Sequence, residues 1–381
     1  MEQRKFNHNF PAIIVKKIFI SAGDPSGDLH ASRLMKEIIK LMPDVRFIGF
    51  GGRNMEKQGL ESIIPLEKIS VVGFWEVAKK YFFFLKFLKK CQKIISSGEV
   101  DLYLPVDFPG FNLRLSETAK SQGVPVVYYI APQLWAWGKN RAKTLKNKVD
   151  ELLTVFPFET DFFEQYGIKT RFVGHPLLDD PEIPDEIPEK SDREDIIAVL
   201  PGSRTQEVKR ILPAVAKAIP RIKKKFPDYR IAIAKASFVQ ESIYEDILND
   251  RNFEIWDNTR DLLKTAKTGI VKTGTSNLEA ALCGMPFVMV YLTSLGSYYL
   301  GRNLIDLPYI SIVNILTNKD LVKELIQNDV HEELIYTHID SLLCNEMKYD
   351  FIQSQFQSIR ELLGEKGAAR NAAERVVEYL S

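Results

Sequence analysis

The stretch Gly269–Tyr291, GIVKTGTSNLEAALCGMPFVMVY, restricts the fold more than any other. Its apolar start predicts a strand, Thr273-Gly274-Thr275-Ser276 a tight turn, and Asn277 the start of a helix carrying Leu278, Ala281 and Leu282 and stopping at Gly284. Pro286 breaks the pattern, and the β-branched and apolar run Phe287–Tyr291 begins a second strand. Two strands joined through a helix make a βαβ unit of a parallel sheet. The turn of such a unit can aim unfilled N–H groups and the positive end of a helix dipole at an anion. Glu279, placed in the helix's first turn, is within reach of a ribose diol. Phosphate on the amides of Gly274, Thr275 and Ser276, with sugar on Glu279, would make a nucleotide site. The alternative is an ordinary helix cap.

The same alternation recurs along the chain. Ile18–Ala22, Val45–Phe50, Val100–Val106, Val124–Ile130 and Leu152–Phe156 are strand candidates, separated by helical stretches such as the one placing Leu34, Ile38, Leu41 and Met42 on one face. Between Asp179 and Asp195 the chain turns rich in proline and acid, which marks a linker after Phe172-Val173-Gly174-His175-Pro176. Ile196–Leu200 and Arg230–Ala234 then resume the alternation. The expected fold class is α/β, two Rossmann-like domains facing across a cleft, with ligands beyond the carboxyl ends of the strands. Asp24, Gly51, Asp107 and Gln133 all follow such ends. The expected division is residues 1–176, 177–350 and 351–381. The last piece holds amphipathic helices, Phe351–Leu363 and Ala368–Leu380, that cross back onto the first domain or swap onto a partner chain in a homodimer.

With 381 residues, apolar content suffices for two packed cores. Lys plus Arg (51) balances Asp plus Glu (50), so no global field points to nucleic acid. Cys91, Cys283 and Cys344 lie far apart without CxxC spacing, and the histidines form no HxxxH pattern. Neither a metal nor a cofactor is expected. Lys16 and Lys17 interrupt the hydrophobic run near the N-terminus, and no stretch has the length of a membrane span, so a cytoplasmic protein is expected. One segment departs from a soluble pattern. Phe74, Trp75, Phe82, Phe83, Phe84 and Phe87 are interleaved with Lys79, Lys80, Lys86, Lys89 and Lys90. Lysines flanking an aromatic face suit a helix lying on an anionic membrane. The alternative is a core helix whose lysines reach outward.

Ala22-Gly23-Asp24-Pro25-Ser26-Gly27-Asp28 resembles a signature of the bacterial lipid-A-disaccharide synthase family. The resemblance continues, in collinear order, through Asp107–Asn112 (DFPGFN), Pro132–Trp137 (PQLWAW), Pro157-Phe158-Glu159, Phe172–Pro176 (FVGHP), Leu200–Arg204 (LPGSR), Gly274–Ala280 (GTSNLEA) and Ile312–Leu316. It implies a metal-independent glycosyltransferase of GT-B architecture, with acceptor on the first domain and UDP-sugar on the second. The implied reaction joins UDP-2,3-diacylglucosamine to 2,3-diacylglucosamine 1-phosphate with inversion and releases UDP. The implied place is the cytoplasmic face of the inner membrane, as a peripheral protein. Two departures stand out: Asp24 replaces a frequent Glu, and Gly110 stands where the family often has a second acid, so it can carry no catalytic role.

Carried over residue by residue, Asp107 matches the position of the base that deprotonates the acceptor hydroxyl, with a helix cap as its alternative. Gly202, Ser203 and Arg204 are expected at the UDP-donor site, where Arg204 can fork onto the diphosphate, with an interdomain salt bridge as its rival. Glu207 is expected to cap. Asp24, Ser26 and Gly27 form an acceptor-binding turn, although the flanking acids oppose an anion. Asn314 matches a donor-site position or is a satisfied loop amide. Trp135 and Trp137 line the site or pack the core. Two other readings remain open. One is a different GT-B enzyme, such as a UDP-GlcNAc transferase or an epimerase; the other is a non-enzymatic peripheral lipid binder.

Overall fold

The computed structural model describes residues 15–69, 74–237, 239–248, 253–294, 296, 298 and 307–381, without the side chains of Glu67, 74–81, Trp137, Lys139 and Asn140. The chain forms two compact units, one of residues through Trp135, Lys139–Pro176 and Gly367–Ser381, the other of Ala136–Gly138 and Leu177–Lys366.

In the first unit the strands are β1 (Lys17–Ala22), β2 (Arg46–Gly51), β3 (Leu60–Pro65), β4 (Leu102–Val106), β5 (Val127–Tyr129), β6 (Glu151–Thr154) and β7 (Thr170–Phe172). They pair in the order β3-β2-β1-β4-β5-β6-β7, all parallel. Ile18, Phe19 and Ile20 on β1 and Leu102, Tyr103 and Leu104 on β4 are fully buried, as expected of central parallel strands covered on both faces. The second unit has β8 (Glu194–Leu200), β9 (Arg230–Ala234), β10 (Phe253–Trp256), β11 (Ala266–Lys272), β12 (Phe287–Tyr291) and β13 (Glu324–Ile326), also parallel, in the order β10-β9-β8-β11-β12-β13. Each unit is thus a Rossmann-like layer of helices around a parallel sheet.

Local differences from the sequence reading have physical causes. On the helix Pro25–Leu41 the buried stripe is Ala31, Leu34, Met35 and Ile38, while Leu41, the helix's last residue, is 44% exposed. The acidic stretch after Pro176 is a packed loop. Leu177, Leu178 and Ile183 are buried, and Arg360 Nη1 donates to Asp185 O at 2.8 Å. Arg193, also buried, donates to Leu263 O and Ala266 O.

The helix Glu346–Leu362 stays with the second unit, and the helix Ala368–Glu378 returns to the first. There it packs against Pro25–Leu41. Its Arg375 grips the buried Glu151 of β6, with Nε at 2.9 Å from both carboxylate oxygens and Nη2 at 2.6 Å from one. Lys169 (3.0 Å), Tyr379 (2.8 Å) and, farther off, Arg171 (3.8 Å) also face this carboxylate; against the burial that would raise it, the bonds from Arg375, Lys169 and Tyr379 hold the Glu151 pKa below the ordinary range.

Candidate functional site

In each unit the strand order reverses once, between β1 and β4 and between β8 and β11. At such a reversal the flanking connections leave in opposite directions and open a crevice at the carboxyl ends of the two strands. Every block picked out in the sequence for chemistry at Asp24, Asp107, Arg204 and Gly274 follows one of these four strands.

In the first unit, Ala22 pairs with Val106, which sets Gly23-Asp24 beside Asp107. Asp107 (φ 46°) and Phe108 (φ 53°) are consecutive non-glycine residues in the left-handed region. Each such residue costs on the order of 1–2 kcal/mol, so surrounding contacts must hold the pair. Asn112 Nδ2 and Tyr128 Oη donate to Asp107 O at 2.7 and 2.6 Å. The buried Asn112 is itself fixed, its Oδ1 accepting from Ser21 Oγ (2.9 Å) and Tyr103 Oη (3.1 Å). Gly23 leaves room for the Phe108 ring: a Cβ there would lie 2.2 Å from Phe108 Cγ.

The strained turn frees the Asp107 side chain from capping. Phe108 is the N-cap of the helix Pro109–Ser121, and no side chain bonds that cap. Burial, then repulsion from Asp24, pushes the Asp107 carboxyl up to about 6, against a bond from the Phe108 N–H. Such a carboxylate is ionised at neutral pH and basic enough to accept a proton.

The neighbouring acids divide the labour. Asp24 caps its helix, Oδ1 accepting from Gly27 N at 2.6 Å. Gly27 therefore has no free amide for a ligand, which corrects its place among the binding residues; Ser26 is exposed. Asp28 is buried and accepts from the amides of Gly52, Asn54 and Met55, tying the β1 and β2 turns together. Glu159, also buried, accepts from Trp135 Nε1 (3.0 Å) and from the Val155 and Phe156 amides (3.2 Å each). Burial pushes its carboxyl up to about 7 despite these bonds. Trp135 is consequently core, edge-on to Phe158 at 4.9 Å, while the Trp137 side chain lies outside the described residues.

The second unit presents cations and amides. Val271 pairs with Leu200, bringing the β8 and β11 exits together. Gly202 (φ 125°) turns the chain, and Ser203 N donates to Glu207 Oε2 at 3.0 Å. Arg204, 78% exposed, pairs with Glu207 at 3.6 Å, and Lys272 reaches the same carboxylate at 3.0 Å. Across the crevice, Gly274 (φ 137°) begins the helix Thr275–Leu282 with no side-chain cap bond. Gly274 and Thr275 are exposed and Ser276 half-buried. Because the helix starts at Thr275, Glu279 falls in its second turn; its Oε1 accepts from Arg260 Nη2 at 2.9 Å, and Arg260 Nη1 holds Asp180 at 2.7 Å.

Asn314 is fully buried. Its Nδ2 donates to Val322 O (2.8 Å) and Glu324 Oε1 (2.9 Å), and its Oδ1 accepts from the Leu321 (3.0 Å) and Val322 (2.9 Å) amides. All four hydrogen-bonding positions are filled by protein, so it shapes its loop and has none left for a donor.

On the helix Phe74–Ile95, the side chains of Phe74 and Trp75 lie outside the described residues. Phe82 is 81% and Phe83 36% exposed. Phe84 is partly buried against the core, and Phe87 is 4% exposed, edge-on to Phe50 at 5.0 Å and stacked on Phe111 at 5.1 Å. Phe87 is thus a core residue, correcting its assignment to the membrane face. No helix among the described residues is long and apolar enough to cross a membrane.

Residues that the sequence reading passed over include Asn112, Tyr128, Arg260 and Lys272. Their neighbours come from other elements, so no local spacing marks them; Glu159 did carry one signal, its place three residues after a strand-end Phe156 in a capping pattern.

A family model described as lipid-A-disaccharide synthetase matches residues 18–378. A lipid-A-disaccharide synthase of Syntrophus aciditrophicus is 36% identical over 368 residues, covering 94% of this chain and 96% of that one. One of Anaeromyxobacter dehalogenans is 35% identical over 375 residues, covering 96% and 97%. Among solved structures, the calicheamicin glycosyltransferase CalG4 shares the fold with a TM-score of 0.62 at 14% identity, over 96% of this chain and 98% of that one. The match over both Rossmann-like halves shows that the chain is a GT-B glycosyltransferase and belongs to the lipid-A-disaccharide synthase family.

Proposed function

We propose that this chain transfers 2,3-diacylglucosamine from its UDP conjugate to 2,3-diacylglucosamine 1-phosphate, forming the β-1,6-linked disaccharide 1-phosphate and UDP. The first unit takes the acceptor and the second the UDP-sugar. Asp107 accepts the proton of the attacking hydroxyl as the new C–O bond forms on the anomeric carbon. The bond from that carbon to the diphosphate breaks on the opposite face, which inverts the centre, and the electron pair leaves on UDP. Arg204 and the amides of Gly274, Thr275 and Ser276 meet the diphosphate charge, and Glu279 accepts from the ribose diol.

The observation that carries this reading is the Asp107 carboxyl, set beside Gly23-Asp24 at the β1/β4 crevice by a strained turn in which it does not cap the following helix; burial, then Asp24, raises its pKa. The test is incubation with UDP-diacylglucosamine and diacylglucosamine 1-phosphate, followed by detection of UDP and a disaccharide. Release of free sugar or epimer without disaccharide would point to another reaction.

Glu279 gives a separate test. One of its oxygens holds Arg260, so the other is the one offered to the ribose. Losing hydrogen bonds to a charged group costs about 1.5–3 kcal/mol, so Glu279→Ala should weaken UDP binding about ten- to a hundredfold by calorimetry. Unchanged affinity in a folded variant would remove Glu279 from the site.

A peripheral position at the inner membrane's cytoplasmic face is part of the proposal. Support comes from Phe82 and Phe83, which bring exposed aromatic surface to a helix rich in lysine.

A further inference from the structure

The convergence on Glu207 exceeds what a helix cap needs. A backbone N–H (Ser203, 3.0 Å), an ammonium (Lys272, 3.0 Å) and a guanidinium (Arg204, 3.6 Å) meet one carboxylate at the carboxyl ends of β8 and β11. An amide with two cations is the donor set that binds a phosphoryl group. The loop is built around that carboxylate: at Gly202 a Cβ would lie 2.6 Å from both Glu207 Cβ and Oε2. Lys272 is the least obvious member. It is the last residue of β11, its carbonyl held by Asn277 Nδ2 at 3.0 Å, and its ammonium lies 3.8 Å from where a Gly274 Cβ would be. The Lys272 cation therefore stands between the Ser203 turn and the Gly274 turn.

We infer that Glu207 occupies the place of the donor's diphosphate in the free protein, and that Lys272 is a second cationic ligand of that diphosphate alongside Arg204. The inference rests on the donor-site reading proposed above. When a UDP-sugar binds, its diphosphate takes over Lys272, Arg204 and the Ser203 amide, and Glu207 turns aside. The exchange is favoured because a diphosphate offers more charge and more acceptor oxygens to the same donors than one carboxylate does. Until then Glu207 keeps the two cations oriented and neutralised.

Two variants read this in opposite directions. Lys272→Met should weaken UDP binding about ten- to a hundredfold by calorimetry while leaving uridine, which has no phosphate, unaffected. Glu207→Gln removes the competing charge but keeps an oxygen for Ser203 N, so it should tighten UDP several-fold, again without effect on uridine. Unchanged UDP affinity in Lys272→Met, beside a loss in Arg204→Met, overturns the role of Lys272 alone. Loss of both UDP and uridine binding in Lys272→Met marks a structural residue and overturns it as well. Weaker or unchanged UDP binding in Glu207→Gln returns Glu207 to a plain cap. If Arg204→Met and Glu279→Ala both leave UDP affinity intact, the donor site itself is misplaced.

Discussion

Asp107→Asn is expected to lower turnover about 10²–10⁴-fold, the usual contribution of a general base. Asparagine keeps the shape but cannot accept a proton near neutral pH, so UDP affinity should be unchanged. The wild-type pH profile should show an acidic limb near pH 6, where the raised Asp107 carboxyl takes up its proton. Stability should move the other way. Burial makes the folded protein bind this proton more tightly than the unfolded chain, whose carboxyl titrates near 3.8. Stability from this group is therefore highest at low pH and falls as pH rises from about 4 through 6. At pH 8 the ionised carboxylate costs the fold on the order of 1–3 kcal/mol, which the amide relieves. Asp107→Asn should melt higher than wild type at pH 8, with the difference gone near pH 4. Near-normal turnover with saturating substrates would leave the acceptor's proton without this recipient.

Phe87→Ala should destabilise the first unit by about 3–5 kcal/mol, the cost of deleting a buried ring that neighbours cannot collapse onto. Its ring bridges Phe50 and Phe111, so the loss reaches the helix that begins just after Phe108. The double change Phe82→Ser, Phe83→Ser should instead cost much less stability than Phe87→Ala, since Phe83 only flanks Phe87 at 6.3 Å, and release the protein from anionic vesicles. Each inserted aromatic is worth on the order of 1.5–3 kcal/mol, so even partial insertion of two gives a measurable loss. High salt should loosen the wild type too, because the lysines act through a screened field. If the folded double variant still binds vesicles, the membrane contact lies elsewhere; if it unfolds, the two rings serve the core.

How much was legible follows from where each residue sits in its sheet. The interior strands announced themselves because both faces are buried and their sequences are continuous apolar runs; Arg230–Ala234 matched to the residue. The strands passed over, β3, β7, β10 and β13, are the four sheet edges. With one side unpaired and partial exposure, runs such as Leu60–Pro65 carry Glu61 and Ser62 and lose the apolar signature. At the site, Asp107 was visible as a carboxylate closing a strand, but its strained turn was not, since that depends on Gly23 and Tyr128 from other strands' ends. Phe87 was misread for a related reason. Helical spacing places it with the aromatic stripe, and only Phe50 and Phe111, remote in sequence, show that its end of the stripe faces inward.

The return of the helix Ala368–Glu378 to the first unit sets an order of events during synthesis. Domains are made from the N-terminus and generally fold as units, but here the helix covering Pro25–Leu41 emerges only after all of 177–366 has been translated. Through that interval the first unit waits with one helix uncovered and with Glu151 lacking its Arg375 partner. The second unit, made of Ala136–Gly138 and Leu177–Lys366, has all its residues once Lys366 is made and can close first. A ribosome stalled before Gly367 would therefore display a first unit without the helix that covers Pro25–Leu41.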